Sequence, residues 1–211
     1  MIEGIILVDK PTGMTSFDVI RVLRQKLGVR KMGHAGTLDP LATGLMLIGI
    51  GSGTKELTKL IGLPKIYETE ILLGTRTDSL DVDGAVLEKK DVPNLSSEEI
   101  KKSLEGMVGE LNLAVPIYSA IKRGGRPLYD YARSGDAVDI PIKKMVVTEA
   151  TLISYTSPVI RAQFNVASGT YVRSLAEELV RRLDTIGTIQ NLRRLSIGEY
   201  SIKDAKKLED F

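Results

Sequence analysis

The stretch GHAGTLDPLATG, residues 33–44, sets a carboxylate in front of a proline, five residues after the chain's one histidine. The proline disfavours helical torsions at Asp39 and holds that residue extended. Gly33, Gly36 and Gly44 allow the backbone to turn and a ligand to come close. A stiff carboxylate beside His34 can serve as a nucleophile or as a base. The plain alternative is an Asp-Pro turn with a structural cap. Composition narrows the rest. With no cysteine and a single histidine, structural zinc is nearly excluded. A serine hydrolase would have to use His34, and the Gly-x-Ser-x-Gly elbow is missing, because Ile50 lies two places before Ser52. The catalytic candidates left are carboxylates, lysine, arginine and tyrosine.

Two other stretches resemble binding motifs and fail on spacing. GIGSGTK, 49–55, lacks both the Gly-Lys-Ser/Thr order of a P-loop and the spacing of a dinucleotide site, and a strand-to-helix turn explains it as well. SLDVDG, aligned on Gly84 as a calcium loop, puts Lys90 where a bidentate Glu is required. Asp78, Asp81 and Asp83 read instead as turn formers.

Net charge is only +2, yet the basic residues cluster. Arg21, Arg24, Lys26, Arg30 and Lys31 fall in an acid-free stretch, Lys122, Arg123, Arg126 and Arg133 stand against Asp130 alone in a second, and Arg173, Arg181, Arg182, Arg193 and Arg194 collect later. One such cluster is as readily a solvated face. Three favour a polyanionic partner, since phosphate contacts dominate nucleic-acid affinity.

The elements that must position these residues follow from pattern. GIILVDK reads as a short buried strand, and Thr15 or Ser16 caps a helix whose buried face is Phe17, Ile20, Leu23 and Leu27, ending at Gly28. GLMLIGI is an apolar strand, followed by a short helix near 54–61. In KIYETEILL, Tyr67, Thr69, Ile71 and Leu73 share one strand face. Further strands are expected at 85–89, 144–156, 159–167 and 195–200. Helices are expected from Ser96 to about 105, with a Ser-x-x-Glu capping box, from the stretch SGTYVRSLAEELVRRL, 168–183, with Leu175, Leu179 and Leu183 as its buried stripe, and at 204–209. Residues 116–141 read as a long insertion loop with one helix near 127–134. Strands outnumber helices without alternating with them, so the fold class is α+β with a largely antiparallel sheet. Nothing splits residues 1–211, which are expected to form a single domain. The longest apolar run, LMLIGI, is too short for a membrane span. No basic segment precedes the N-terminal apolar residues, so no signal peptide is read and a cytoplasmic location is expected.

The segments LVDKPTGMTS, GHAGTLDPLATGLM, GTK, YETEILLGTRTDSLDVDG, VPIYSAIKRGGRPLYDYAR and SGTYVRSLAEEL together closely resemble the bacterial tRNA pseudouridine synthase B (TruB) family, over about residues 4–200 and in the family's order. The resemblance implies the pseudouridine synthase fold, a central mixed, largely antiparallel sheet flanked by helices. It implies conversion of uridine 55 in the tRNA T arm to pseudouridine. Asp39 matches the catalytic aspartate, which acts on the target nucleoside so that uracil detaches, rotates and rejoins through carbon, by a route after detachment that the sequence leaves open. Arg173 matches an arginine that pairs with that carboxylate, a cation that would keep it ionised. Tyr67 matches a tyrosine that stacks on the flipped base and helps move the proton. Tyr171 and Leu192 match further pocket residues, and His34 one that holds the looped-out nucleotide. Lys10 lies in a matching segment and is expected to contact substrate.

Isomerisation neither adds nor removes atoms, so no cofactor, metal or ATP is expected. Residues 116–141 match an RNA-gripping thumb loop, with Lys122, Arg123 and Arg126 suited to phosphate. Unstacking the target base costs a few kcal/mol, against which aromatic stacking can contribute ~1–3 kcal/mol. The partner implied is the T-arm stem-loop, bound by a monomer with no obligatory protein partner and no membrane. Many members carry a C-terminal PUA-type domain, whereas this sequence stops at Phe211, so a T-arm stem-loop is expected to suffice. Val115 and Ile117 flank Pro116 where the family more often shows paired prolines. A non-catalytic RNA-binding module is the competing class.

Overall fold

The computed structural model describes residues 3–211. In chain order, β1 (Gly4–Lys10) precedes α1 (Ser16–Leu27), β2 (Met32–His34), β3 (Thr43–Ile50) and α2 (Leu57–Ile61). β4 (Lys65–Leu73), β5 (Thr75–Thr77), β6 (Val86–Lys89), α3 (Ser97–Glu105) and β7 (Gly109–Ala114) follow. Within the long insertion lie β8 (Lys122–Arg123), β9 (Arg126–Pro127) and α4 (Leu128–Ser134). Then come β10 (Ile142–Thr156), β11 (Val159–Val166), α5 (Val172–Arg182), β12 (Gly187–Ile197), β13 (Tyr200–Ser201) and β14 (Lys206–Lys207). The fold is α+β, and the chain divides into two compact units, passing between them inside β4, β11 and β12 and after Ser168.

The first unit holds the residues up to Glu68, Asn165–Ser168 and Asn191–Phe211. β3 is its central strand. It pairs antiparallel with β1, Leu7 opposite Leu47, and on its other edge with β2 and, in parallel, with β12. Its apolar run leaves no room for a solvent face: Leu45, Met46, Leu47, Ile48 and Ile50 are all fully buried, as expected for a strand covered on both sides. Leu45 and Leu47 pack with Ala35, Leu60 and Ile197.

α1 starts where its cap chemistry says it should. Thr15 accepts from the Asp18 amide, the Asp18 carboxylate accepts from the Thr15 amide, and Gly28 ends the helix in left-handed backbone. The buried face differs from expectation. It is Ser16, Val19, Ile20 and Leu23, a true i, i+3, i+4, i+7 stripe. Phe17 lies one position off that stripe and is 55% exposed, with the Arg21 and Arg24 guanidinium carbons 5.6 and 5.7 Å from its ring centroid.

The second unit holds Thr69–Phe164 and Gly169–Gln190. Its strands run in the order β4, β11, β10, β7, with β7 antiparallel to β10. Ser96 and Glu99 form the expected capping box of α3, which buries Ile100 and Leu104. α5 buries Leu175, Leu179 and Val180 together with three polar residues, Arg173, Ser174 and Glu178. The insertion 116–141 carries its own small core: Leu128 packs with Val115 and Met145, and Ile121, Val138 and Ile140 cover them.

Three further expectations are corrected. The helix at 204–209 is absent; short 3-10 turns flank β14, which pairs in parallel with β1. The last long strand begins at Gly187 rather than 195 and turns back at Gly198 into β13. β7 was not foreseen, because its Gly, Glu and Asn dilute the alternation. The GSGTK segment is a 3-10 turn in which a Cβ on Gly53 would collide with the Gly4 backbone, so close packing accounts for that glycine. Among the described residues, no helix is long and apolar enough to cross a membrane, and no group of His, Cys, Asp and Glu could hold a metal ion.

Candidate active site

Asp39 sits between β2 and β3 in a segment whose backbone is tied down throughout. Every carbonyl from Gly36 to Ala42 accepts a hydrogen bond. Arg194 Nη2 and Nη1 donate to the Gly36 and Thr37 oxygens at 3.2 and 3.5 Å. Ser16 Oγ donates to Leu38 O at 3.1 Å and accepts from Leu38 N at 2.8 Å. Ala42 N closes a turn on Asp39 O at 3.1 Å, and Gly13 N reaches Pro40 O at 2.9 Å. Thr12 Oγ1 donates to Leu41 O at 3.0 Å. Lys10 Nζ donates to Ala42 O at 2.6 Å, Pro40 O at 3.2 Å and Pro11 O at 2.9 Å. Such a loop holds its central side chain in one orientation at little entropic cost when substrate arrives.

Three cations stand around this segment. Lys10 is fully buried, Arg194 is 1% exposed and Lys65 is 6% exposed. Arg194 Nε also holds Leu45 O at 2.7 Å, and Lys65 Nζ holds Ile61 O and Leu63 O at 2.8 and 2.6 Å. Carbonyls alone do not neutralise an ammonium. Burial, with Arg194 adding repulsion, pushes Lys10 and Lys65 each down to about 8, while the Asp39 carboxylate favours the charged form of Lys10. Of the three, Lys10 is the one coupled electrostatically to the Asp39 carboxylate.

The three hydrogen bonds of the Lys10 ammonium all go to backbone oxygens, two of them in the Asp39 loop. Tyr67, on β4, is 8% exposed, on the same strand face as Lys65. Leu192 is 6% exposed and shares the inward face of β12 with Arg194. His34 ends β2, half-buried, with Nδ1 buried and unbonded. Burial, then Arg194, holds its pKa below the ordinary value, so the imidazole is neutral at neutral pH. Arg193, on the opposite face of β12, pairs with Asp9 at 2.7 Å.

In the second unit, Arg173 lies in the first turn of α5 and is 4% exposed, inward as expected. Its Nη1 donates to Ser79 O and its Nη2 to Tyr118 O, both at 2.9 Å. Tyr171 is the N-cap residue of the same helix, with Lys143 Nζ 5.6 Å from its ring centroid. In the insertion, Lys122 and Arg123 are exposed on a β8–β9 hairpin turned by Gly124 and Gly125. Arg126 is paired with Arg123 across this hairpin, and its guanidinium is engaged within the insertion. It stacks on Tyr131, 4.5 Å from the centroid, and binds Asp136 at 2.6 Å.

Arg194, Lys65 and Ser16 were missed as site residues. The strand alternation that turned Tyr67 and Leu192 inward applies equally to Lys65 and Arg194, two and two places away, and was the signal available.

Residues 24–172 match the model of the TruB family pseudouridylate synthase, N-terminal domain. The chain is 40% identical over 209 residues to the tRNA pseudouridine synthase B of Endomicrobium trichonymphae, covering 99% of this chain and 91% of that protein. It is 42% identical over 207 residues to the enzyme of the same name from Caldicellulosiruptor saccharolyticus, covering 98% of this chain and 71% of the relative. Among solved structures, an H/ACA RNP bound to a substrate RNA containing 2'-deoxyuridine superposes over 98% of this chain and 51% of its own, with a TM-score of 0.73 at 22% identity. A Cbf5-Nop10-Gar1 complex gives 0.74 at 24% identity over 98% of this chain and 53% of its own. The chain spans about half the length of those solved chains, and at such identity they speak for the fold.

Proposed function

The chain belongs to the TruB family of pseudouridylate synthases, and on that premise we propose that it isomerises uridine 55 in the T arm of tRNA to pseudouridine, with Asp39 as the catalytic carboxylate. The observation that carries this reading is the Asp39 loop, in which every flanking carbonyl is bonded and the buried Lys10 ammonium is coupled to the carboxylate. Asp39 acts at the ribose of the everted nucleotide. The bond from ribose C1' to uracil N1 breaks, the base rotates, and a bond from C1' to C5 forms. The C5 proton leaves and N1 gains one, so the product is an isomer of the substrate. Tyr67 stacks on the free base and helps move that proton. By the resemblance, Leu192 and Tyr171 are each assigned to the base, and neutral His34 to the looped-out nucleotide. Arg173, its guanidinium oriented by two carbonyls, is the cation assigned to the nucleophile. Lys122 and Arg123 meet the RNA backbone, whose stem-loop shape sets specificity.

T-arm RNA labelled with tritium at uracil C5 tests this. The wild-type protein should release tritium, and Asp39→Asn should slow release at least about a thousandfold while still binding the RNA. A wild-type protein that binds the hairpin and releases nothing would refute the reading, and normal release by Asp39→Asn would refute the mechanism.

A further inference from the structure

The two carbonyls that hold Arg173 come from different segments. Ser79 lies in the turn after β5, and Tyr118 lies at the root of the thumb. Those segments are joined by one side-chain bond, from Tyr118 Oη to Asp78 Oδ2 at 3.2 Å. The Asp78 carboxylate is itself fixed, its Oδ1 accepting from Ala85 N at 2.8 Å. The next residue of α5 holds the end of the strand that leads into the thumb, with Ser174 Oγ donating to Ala114 O of β7 at 2.7 Å. The outer thumb is tied back to the same root, since Tyr129 N bonds Ser119 O at 3.2 Å and Leu128 N bonds Ile121 O at 2.8 Å. Displacing the hairpin that bears Lys122 and Arg123 therefore moves a carbonyl that orients Arg173.

We infer that Tyr118 is a positioning residue, its hydroxyl locking the thumb root to the Asp78 turn so that the closed thumb and the correctly aimed Arg173 guanidinium form together. Burial and the neighbouring Asp78 carboxylate push the phenol pKa up, so it keeps its proton and the bond persists through the working pH range. The inference rests on Arg173 serving the reaction as proposed above.

Tyr118→Phe deletes the one hydroxyl and keeps the ring. Single-turnover tritium release at saturating T-arm RNA should slow by about tenfold, within the range for a catalytic group displaced by less than an ångström, while the dissociation constant for the RNA changes less than about twofold. Tyr118→Phe/Asp78→Ala should be no slower than the slower single variant, because both remove the same bond. A purely structural tyrosine would lower the melting temperature and weaken RNA binding with the saturated rate intact. That result, or additive losses in the double variant, would overturn the inference. Arg173→Lys separates the two readings. If it is slow and Tyr118→Phe is as fast as wild type, only the positioning role fails. If Arg173→Lys or the unaltered protein contradicts the assigned reaction, both fall.

Discussion

Lys10 offers a test of the cationic scaffold that needs no RNA. Burial brings its pKa from 10.5 to about 8, so at neutral pH the folded state carries a charge it would shed more readily than the unfolded chain does. Between those values the unfolded state binds more protons, and the free energy of unfolding must rise with pH. The burden is fully present below about pH 8 and gone above the unfolded value. At ~1.4 kcal/mol per unit, the shift amounts to about 3 kcal/mol, of which ~2–3 kcal/mol should appear by about pH 10. Lys65 carries a similar shift, and other groups titrate too, so the measurement is a difference. Lys10→Met keeps the straight aliphatic stem and removes the ammonium. Urea unfolding followed by circular dichroism, repeated for both proteins at several pH values, gives the two stabilities. The wild-type protein should gain on Lys10→Met by that amount as pH rises through the window, whatever the offset at neutral pH. Curves that stay parallel would refute the claim that a dehydrated ammonium, rather than an ordinary solvated one, holds the Pro40 and Ala42 carbonyls.

Gly44→Ala should abolish folding or lower stability by more than about 3 kcal/mol, because φ is +105° and the added carbon would strike the Arg194 backbone on the paired strand; a melting curve close to wild type would contradict the close approach of β3 and β12. His34, being the chain's one histidine, gives a single imidazole resonance, whose NMR titration midpoint should lie below 6.5; a midpoint at or above that value would mean that the ring is neither buried nor near a cation. Lys122→Ala and Arg123→Ala should each reduce the salt dependence of RNA binding by about one phosphate contact with little change in the saturated rate, whereas Arg126→Ala should act through thumb stability, measured as increased proteolysis between 116 and 141. Unchanged salt slopes in the first two would remove the hairpin from the RNA interface.

What could be read from the chain and what could not divide along the range of the interactions. The capping of α1 by Thr15 and Asp18, the alternation of β4 and the stiffness of Asp39 before Pro40 are set within a few residues, and local pattern exposes them. The exposure of Phe17 is nearly local too: one position of helical phase, 100° of rotation, separates it from the buried stripe. The buried cations are another matter. A lysine after a strand reads as a solvated end, and only the fold brings Lys10 to a carbonyl 32 residues away and Arg194 to one 149 residues away. Arg123 and Arg126 look alike in RGGRP and face each other across the hairpin, yet the Arg126 guanidinium is taken up by the Tyr131 ring five residues on. It follows that, under the proposed function, Asp39 and its support answer to different perturbations. Asp39→Asn should cost the reaction while the backbone bond from Ala42 N to residue 39 stays in place. Replacing Lys10, Ser16 or Arg194 leaves the carboxylate in the chain but frees the carbonyls on either side of it, so those variants should lose rate in proportion to how far the loop relaxes.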